Sequence, residues 1–174
     1  IIYRILLADL GLEGPAAGGK WIDRDTLLHL KGAATLAHNP CYLRHTTNLP
    51  RVSRGIRIVA PNATHGMQEA LARALSHTTG ANLVLLDDAA LADVRRVAAQ
   101  EGIPAPFLTQ RRLLSTLLEL AEEDGQPYVV FLRDKGGAVL NNPGACQAIM
   151  EEMRSEDSRV LFLLSTARDF SAHG

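Results

Sequence analysis

The sequence predicts an α/β fold: a parallel sheet flanked by helices on both faces. Three observations carry this. Segments 56–60, 82–86, 128–132 and 159–165 are short and apolar along most of their length, as expected of strands buried on both faces. Segments with apolar residues at helical spacing alternate with them, the pattern of right-handed crossovers between parallel strands. Glycines at 80, 102 and 125 stand where the helical patterns end.

Taken in order, residues 1–9 are apolar and read as a strand or a helix. Residues 11–20, GLEGPAAGGK, read as a linker, because so many glycines beside a proline support no regular element. Asp25 precedes a helix to about His38, with Leu27, Leu28, Leu30 and Ala34 as its apolar side and Pro40 as its stop. The strand at 56–60 leads into a turn over 61–66. A helix follows from Met67 to about Thr78, with Met67, Leu71, Ala74 and Leu75 on one face. The strand at 82–86 ends in Asp87-Asp88, followed by a helix over 89–101 with Gly102 as its terminating residue. Thr109 caps a helix carrying the stripe Leu113, Leu114, Leu117, Leu118 and Ala121, and Gly125 ends it. The strand at 128–132 follows. Asn142 or Pro143 then opens a helix to about Arg154, and 159–165 is the last strand.

Composition bounds the function. The chain has 174 residues, 47% apolar and 21% charged, which suits one compact domain with a short appendage. Three segments are expected: 1–22 as an N-terminal stretch and glycine-rich linker, 23–54 as a helical N-linker, and 55–174 as the α/β core. Eighteen basic residues against 19 acidic ones give a net charge of −1, without the basic excess of a nucleic-acid binder. No apolar run is long enough to enter a bilayer as a helix. Two cysteines, Cys41 and Cys146, are too few for a disulfide framework. The expectation is an intracellular protein with no nucleic-acid partner and no direct membrane insertion. The first residue is Ile1 and not Met, so a fragment or processed form is expected.

In open α/β sheets, ligands sit beyond the carboxyl ends of the strands. The first such end is the informative one: a strand, a turn beginning Ala60-Pro61, then a helix. This is the layout of a phosphate-binding loop, in which main-chain N–H groups and a helix N-terminus face the anion. Three blocks of sequence extend the pattern. The first is His29 to Lys31 with Tyr42, then Leu49-Pro50 and Val52. The second is 60–75, and the third is PYVVFLRD at 127–134, followed by VLFLLSTARD at 160–169.

In these blocks the chain resembles the AAA+ ATPases of the P-loop NTPase superfamily. It is most similar to the degenerate AAA-type module of large plant and algal AAA ATPases. The resemblance spans roughly residues 28–169. It implies a AAA+ large-subdomain-like core, C-terminally incomplete and without the helical lid, the fifth strand or the arginine finger. It implies nucleotide-binding positions at Pro61, Asn62, Ala63, Thr64, His65, Gly66 and Met67. Asp134 is the vestigial candidate for the catalytic acid, and Thr166 and Arg168 are the sensor-like residues, with Ala167 at the usual sensor asparagine.

The departures are as informative as the matches. The phosphate-loop motif needs a lysine for the phosphates and a hydroxyl for magnesium, yet no lysine lies between Lys31 and Lys135. The metal-organising acid at the end of the third strand is replaced by Arg133, which repels a divalent cation. The resemblance therefore implies ATP as the candidate cofactor, argues against Mg2+, and leaves no metal site. It implies a structural or regulatory pseudoenzyme module of an oligomeric, ATP-driven protein-remodelling assembly, with other AAA domains or protein subunits as partners. Two alternatives stand beside it: an ATP-binding and hydrolysing AAA ATPase with atypical Walker motifs, and a nucleotide-free interaction scaffold.

Other chemistries are weaker. His38-x2-Cys41-x3-His45 has metal-like spacing, but Pro40 interrupts it and a fourth ligand is missing. Asp87 resembles a ribose-binding acid, but no GxGxxG precedes it. The GxSxG of a hydrolase nucleophile elbow is absent. Arg95-Arg96 and Arg111-Arg112 read as solvated helix faces.

Overall fold

The computed structural model describes residues 2–4, 21–39, 41–42, 54–61, 65–104, 109–133, 141–155 and 157–168. Two short strands, β1 (Ile2–Arg4) and β2 (Trp21–Asp23), pair antiparallel. Helix α1 (Arg24–His38) follows directly, then β3 (Gly55–Pro61), α2 (His65–Thr79), β4 (Asn82–Leu86), α3 (Asp88–Gln100), α4 (Gln110–Asp124), β5 (Tyr128–Arg133), α5 (Pro143–Arg154) and β6 (Val160–Arg168). The strands β3 to β6 form a four-stranded sheet in the order β3-β6-β5-β4, and every pairing is parallel. The expected fold class is therefore the observed one.

Side chains alternate across the sheet and divide the core in two. On one face Val129, Phe131, Leu161 and Leu163 pack with Leu30, Ala34 and Ala37 of α1 and Ala72 and Leu75 of α2. On the other, Val130, Leu132, Val160 and Phe162 pack with Leu91 of α3, Leu114, Leu118 and Ala121 of α4, and Ala145, Ala148 and Ile149 of α5. Strands β5 and β6 are covered on both sides, which is why their sequences are apolar throughout.

The helix ends follow their sequence signals. Asp87, Thr109 and Asn142 are the N-caps of α3, α4 and α5, each accepting from a main-chain N–H three residues on. Gly125 ends α4 with φ +66° and Gly102 follows α3 with φ +76°, a region that costs residues with a Cβ. The Ile103 N–H bonds back to the Ala98 carbonyl at 2.9 Å, closing a Schellman-type end.

Several expectations need correction. Pro61 belongs to β3, and α2 begins at His65, so His65 and Gly66 are helical and not part of a turn. Strand β6 continues to Arg168, three residues past its expected end at Ser165, because β3 pairs with it as far as Pro61. Leu28 is 54% exposed, so the buried stripe of α1 is Leu30, Ala34 and Ala37. Met67 also faces solvent, at 41% exposed. The strand β2 carries no alternation or apolar run to announce it. The linker at 11–20 lies outside the described residues.

His38, at the end of α1, donates from Nε2 to the Tyr128 carbonyl at 3.2 Å, tying α1 to the start of β5. It is therefore engaged in packing, and no group of three or more metal-ligating side chains occurs among the described residues. Burial pushes the imidazole pKa below its usual value, against the smaller upward pull of the carbonyl. The folded protein thus resists protonation that the unfolded chain accepts. Stability is present in full above a pH of about 6.5, the unperturbed histidine value, and declines as pH falls below it. Replacement His38→Gln is expected to flatten that decline in urea titrations across this range.

Candidate functional site

The carboxyl ends of β3, β6, β5 and β4 form one row, and α2 begins above it. Register sets the row: Ile58 pairs with Ser165, and Ser165 pairs with Arg133. Leu86 pairs with Leu132, so Asp87 lies one step further on, beside Arg133. Alternation sets the face. Arg133 follows Phe131 by two residues and Ser165 follows Leu163 by two, so both emerge on the face that carries α1 and α2.

Two side chains from the first turns of α2 meet this row. Gln68 is buried, 2% exposed. Its Oε1 accepts a short hydrogen bond from the Ser165 hydroxyl, and its Nε2 donates to the Ile58 carbonyl at 3.4 Å. One amide thereby joins α2, β3 and β6. Its neighbour Glu69 lies 3.5 Å (Oε2) from Arg133 Nη1, while Asp87 Oδ2 lies 3.8 Å from the same nitrogen. The other Glu69 oxygen accepts from Arg73 at 2.8 Å. Arg133 Nε is buried and has no acceptor among the described residues.

The corner is thus electrically closed. Two guanidinium groups face two carboxylates, and the cation at the end of β5 is shared between an acid of α2 and an acid at the end of β4. Arg133 side-chain exposure is 35%, against 20% for Glu69 and 30% for Asp87. These are half-sheltered pairs, each contributing at most about 1 kcal/mol to stability. Their consequence lies in what the corner can accept. Asp87 is engaged twice over, as the cap of α3 and as a partner of Arg133.

The expected nucleotide positions divide. Pro61 ends β3, and His65, Gly66 and Met67 form the start of α2. Asn62, Ala63, Thr64 and Asp134 lie outside the described residues. Thr166 and Arg168 stand within β6, at the register positions of Val59 and Pro61. Gln68, Glu69 and Ser165 carry the polar contacts of the corner and were not among the expected site residues. Gln68 had a readable signal: it stands at i, i+4 and i+7 spacing with Ala72 and Leu75, a polar residue on a buried helix face.

A solved structure of PCH-2 from C. elegans matches the fold with a TM-score of 0.55 at 14% sequence identity. The match covers 86% of this chain and 38% of PCH-2, so the chain spans well under half the length of that neighbour. What the two share is the fold: a parallel sheet flanked by helices. No family model and no curated protein matches the sequence. The likeness is one of fold, and what the corner does rests on its own residues. No helix among the described residues is long and apolar enough to cross a membrane.

Proposed function

We propose that this chain is a degenerate AAA+-like module serving a structural or regulatory role in an oligomeric, ATP-driven protein-remodelling assembly. Hydrolysis in such an assembly falls to other AAA domains, its partners. The observation that carries this reading is the ion-paired Arg133 at the end of β5. A working site of this type needs an acid there to organise the metal. Here a cation takes the place and is held by two acids. The start of α2 supports the reading. Gly66 lies in its first turn, where the pattern GxxxxGK[ST] places its second glycine. Met67 then stands at the lysine and Gln68 at the hydroxyl, and Gln68 already bonds Ser165 and Ile58. A thioether supplies no charge to a phosphate.

What remains is the positive end of the α2 dipole, which favours an anion. ATP binding without turnover is accordingly the expected behaviour. Titration of the protein with ATP and ADP by calorimetry, joined to a phosphate-release assay, tests this. Binding heat with background phosphate release is expected, and Asp134→Ala is expected to leave that background unchanged. Turnover that Asp134→Ala abolishes would establish the alternative of an active ATPase with atypical motifs. Absence of heat at millimolar nucleotide would make the module a nucleotide-free scaffold.

A further inference from the structure

We infer that Arg133 is a built-in replacement for the divalent cation of this corner, so that the site is metal-independent in the wild-type chain. The inference deepens the reading of a nucleotide corner and rests on it for the identity of the ligand. Its electrostatic half stands on the ion pairs alone. A divalent cation here would need hard oxygen ligands free to turn toward it. Among the described residues the corner offers Glu69 and Asp87, and both face the same Arg133 nitrogen. Glu69 is further occupied by Arg73 through Nε at 3.2 Å and Nη2 at 2.8 Å. Gln68, the oxygen donor on α2 nearest the sheet, accepts from Ser165. A metal would have to displace a guanidinium and then sit beside it. The donor set among the described residues does not fit magnesium.

The guanidinium supplies part of what the metal would. It is a permanent positive charge, it donates in a planar fork suited to phosphate oxygens, and it needs no water shell removed in the manner of Mg2+. It stands one strand beyond β6 from the β3–α2 junction, on the face where α2 begins. A phosphate arriving there competes with Glu69 and Asp87 for Arg133. The ligand class is therefore a nucleotide polyphosphate free of its metal.

Two measurements on the whole chain separate this inference from the nucleotide reading. The first is Mn2+ titration of nucleotide-free protein, followed by electron paramagnetic resonance. Wild type and Arg133→Lys are expected to leave the aqueous Mn2+ signal intact. Arg133→Asp, which sets a third carboxylate beside Glu69 and Asp87, is expected to remove it. Should that variant not fold, Arg133→Gln releases Asp87 and the Glu69 oxygen that Arg73 does not hold, and is expected to gain thermal stability from Mn2+, a gain wild type lacks. Mn2+ uptake by wild type, or a folded Arg133→Gln protein indifferent to Mn2+, overturns the inference. The second measurement is ATP affinity in EDTA and in Mg2+. Affinity in EDTA is expected to equal or exceed that in Mg2+, and Arg133→Ala to weaken it about tenfold, the scale of one charge-assisted hydrogen bond. ATP binding that requires Mg2+ overturns the inference. No ATP binding in either buffer, with the Mn2+ results as expected, defeats the nucleotide reading and leaves Arg133 as the cation of the corner.

Discussion

Replacing Arg54 by alanine is expected to destabilise the protein by about 1.5–3 kcal/mol, the scale of a buried hydrogen bond donated by a charged group. Arg54 lies just before β3, at the amino end of the sheet and away from the candidate site. It is 5% exposed, and Glu152 of α5 is 9% exposed. Arg54 Nη1 donates to the Glu152 main-chain carbonyl at 3.3 Å, while its own carbonyl accepts from the Phe162 N–H at 2.7 Å. The residue therefore ties the start of β3 to both α5 and β6.

The Glu152 carboxyl shows the electrostatic side. Burial raises its pKa, while a hydrogen bond from Ser158 and the charge of Arg54 pull it down and Glu122 adds to the rise. Because the folded pKa lies above the unfolded one, the unfolded chain releases this proton first as pH rises. Glu152 thus contributes most favourably below its unfolded pKa, and stability is lost as pH climbs from that value through the raised one. Removing Arg54 removes a counter-charge and raises the folded pKa further. The destabilisation in Arg54→Ala should therefore be larger at neutral pH than in mild acid. Urea denaturation of wild type, Arg54→Ala and the double variant Arg54→Met/Glu152→Met checks this. The double variant is expected to recover most of the loss, since two buried apolar side chains of similar length leave no uncompensated charge. An Arg54→Ala loss below about 1 kcal/mol would place the residue among ordinary surface ion pairs.

How far the sequence carries the fold can be judged on particular elements. The apolar runs at β5 and β6 identify strands covered on both faces, because no other position accommodates Val-Val-Phe-Leu or Val-Leu-Phe-Leu-Leu without exposing apolar surface. The order β3-β6-β5-β4 is not readable in the same way. Runs that are apolar on both faces carry no mark of which strand lies beside which, so order and register are settled by packing of the whole domain. Boundaries fail where tertiary structure outweighs local preference. Gly66 disfavours a helix interior, yet α2 starts at His65, where a first-turn glycine costs little. The candidate site shows the same division. That 60–67 holds no lysine and that an arginine stands at 133 is plain from the sequence. The partners of Arg133 are not, because Glu69, Asp87 and Arg133 belong to three elements joined only by the register of β4, β5 and β6.

Gln68→Ala is expected to cost about 2–4 kcal/mol, combining lost hydrogen bonds in a buried setting with a cavity at the helix–sheet junction. The side chain is 2% exposed and Ser165 is 1% exposed, so no water replaces the lost partner cheaply. Ser165→Ala should cost less, about 1–2 kcal/mol, because it removes a hydroxyl, leaves almost no void and strands one Gln68 oxygen. The pair makes a double-mutant cycle. If the Gln68–Ser165 bond is what fastens α2 to β6, Gln68→Ala/Ser165→Ala will be less destabilised than the sum of the singles by about 1 kcal/mol or more. Additive losses would show that each residue acts through other neighbours. The cycle also bears on the corner's chemistry. Gln68 is adjacent to Glu69, so loosening it frees the acid that holds Arg133. Gln68→Leu keeps the volume while removing both polar contacts. It should lower stability and leave Arg133 more available to anions, whereas a Gln68 with a purely packing role would change stability alone. Gln68 would then be the residue that keeps the corner shut.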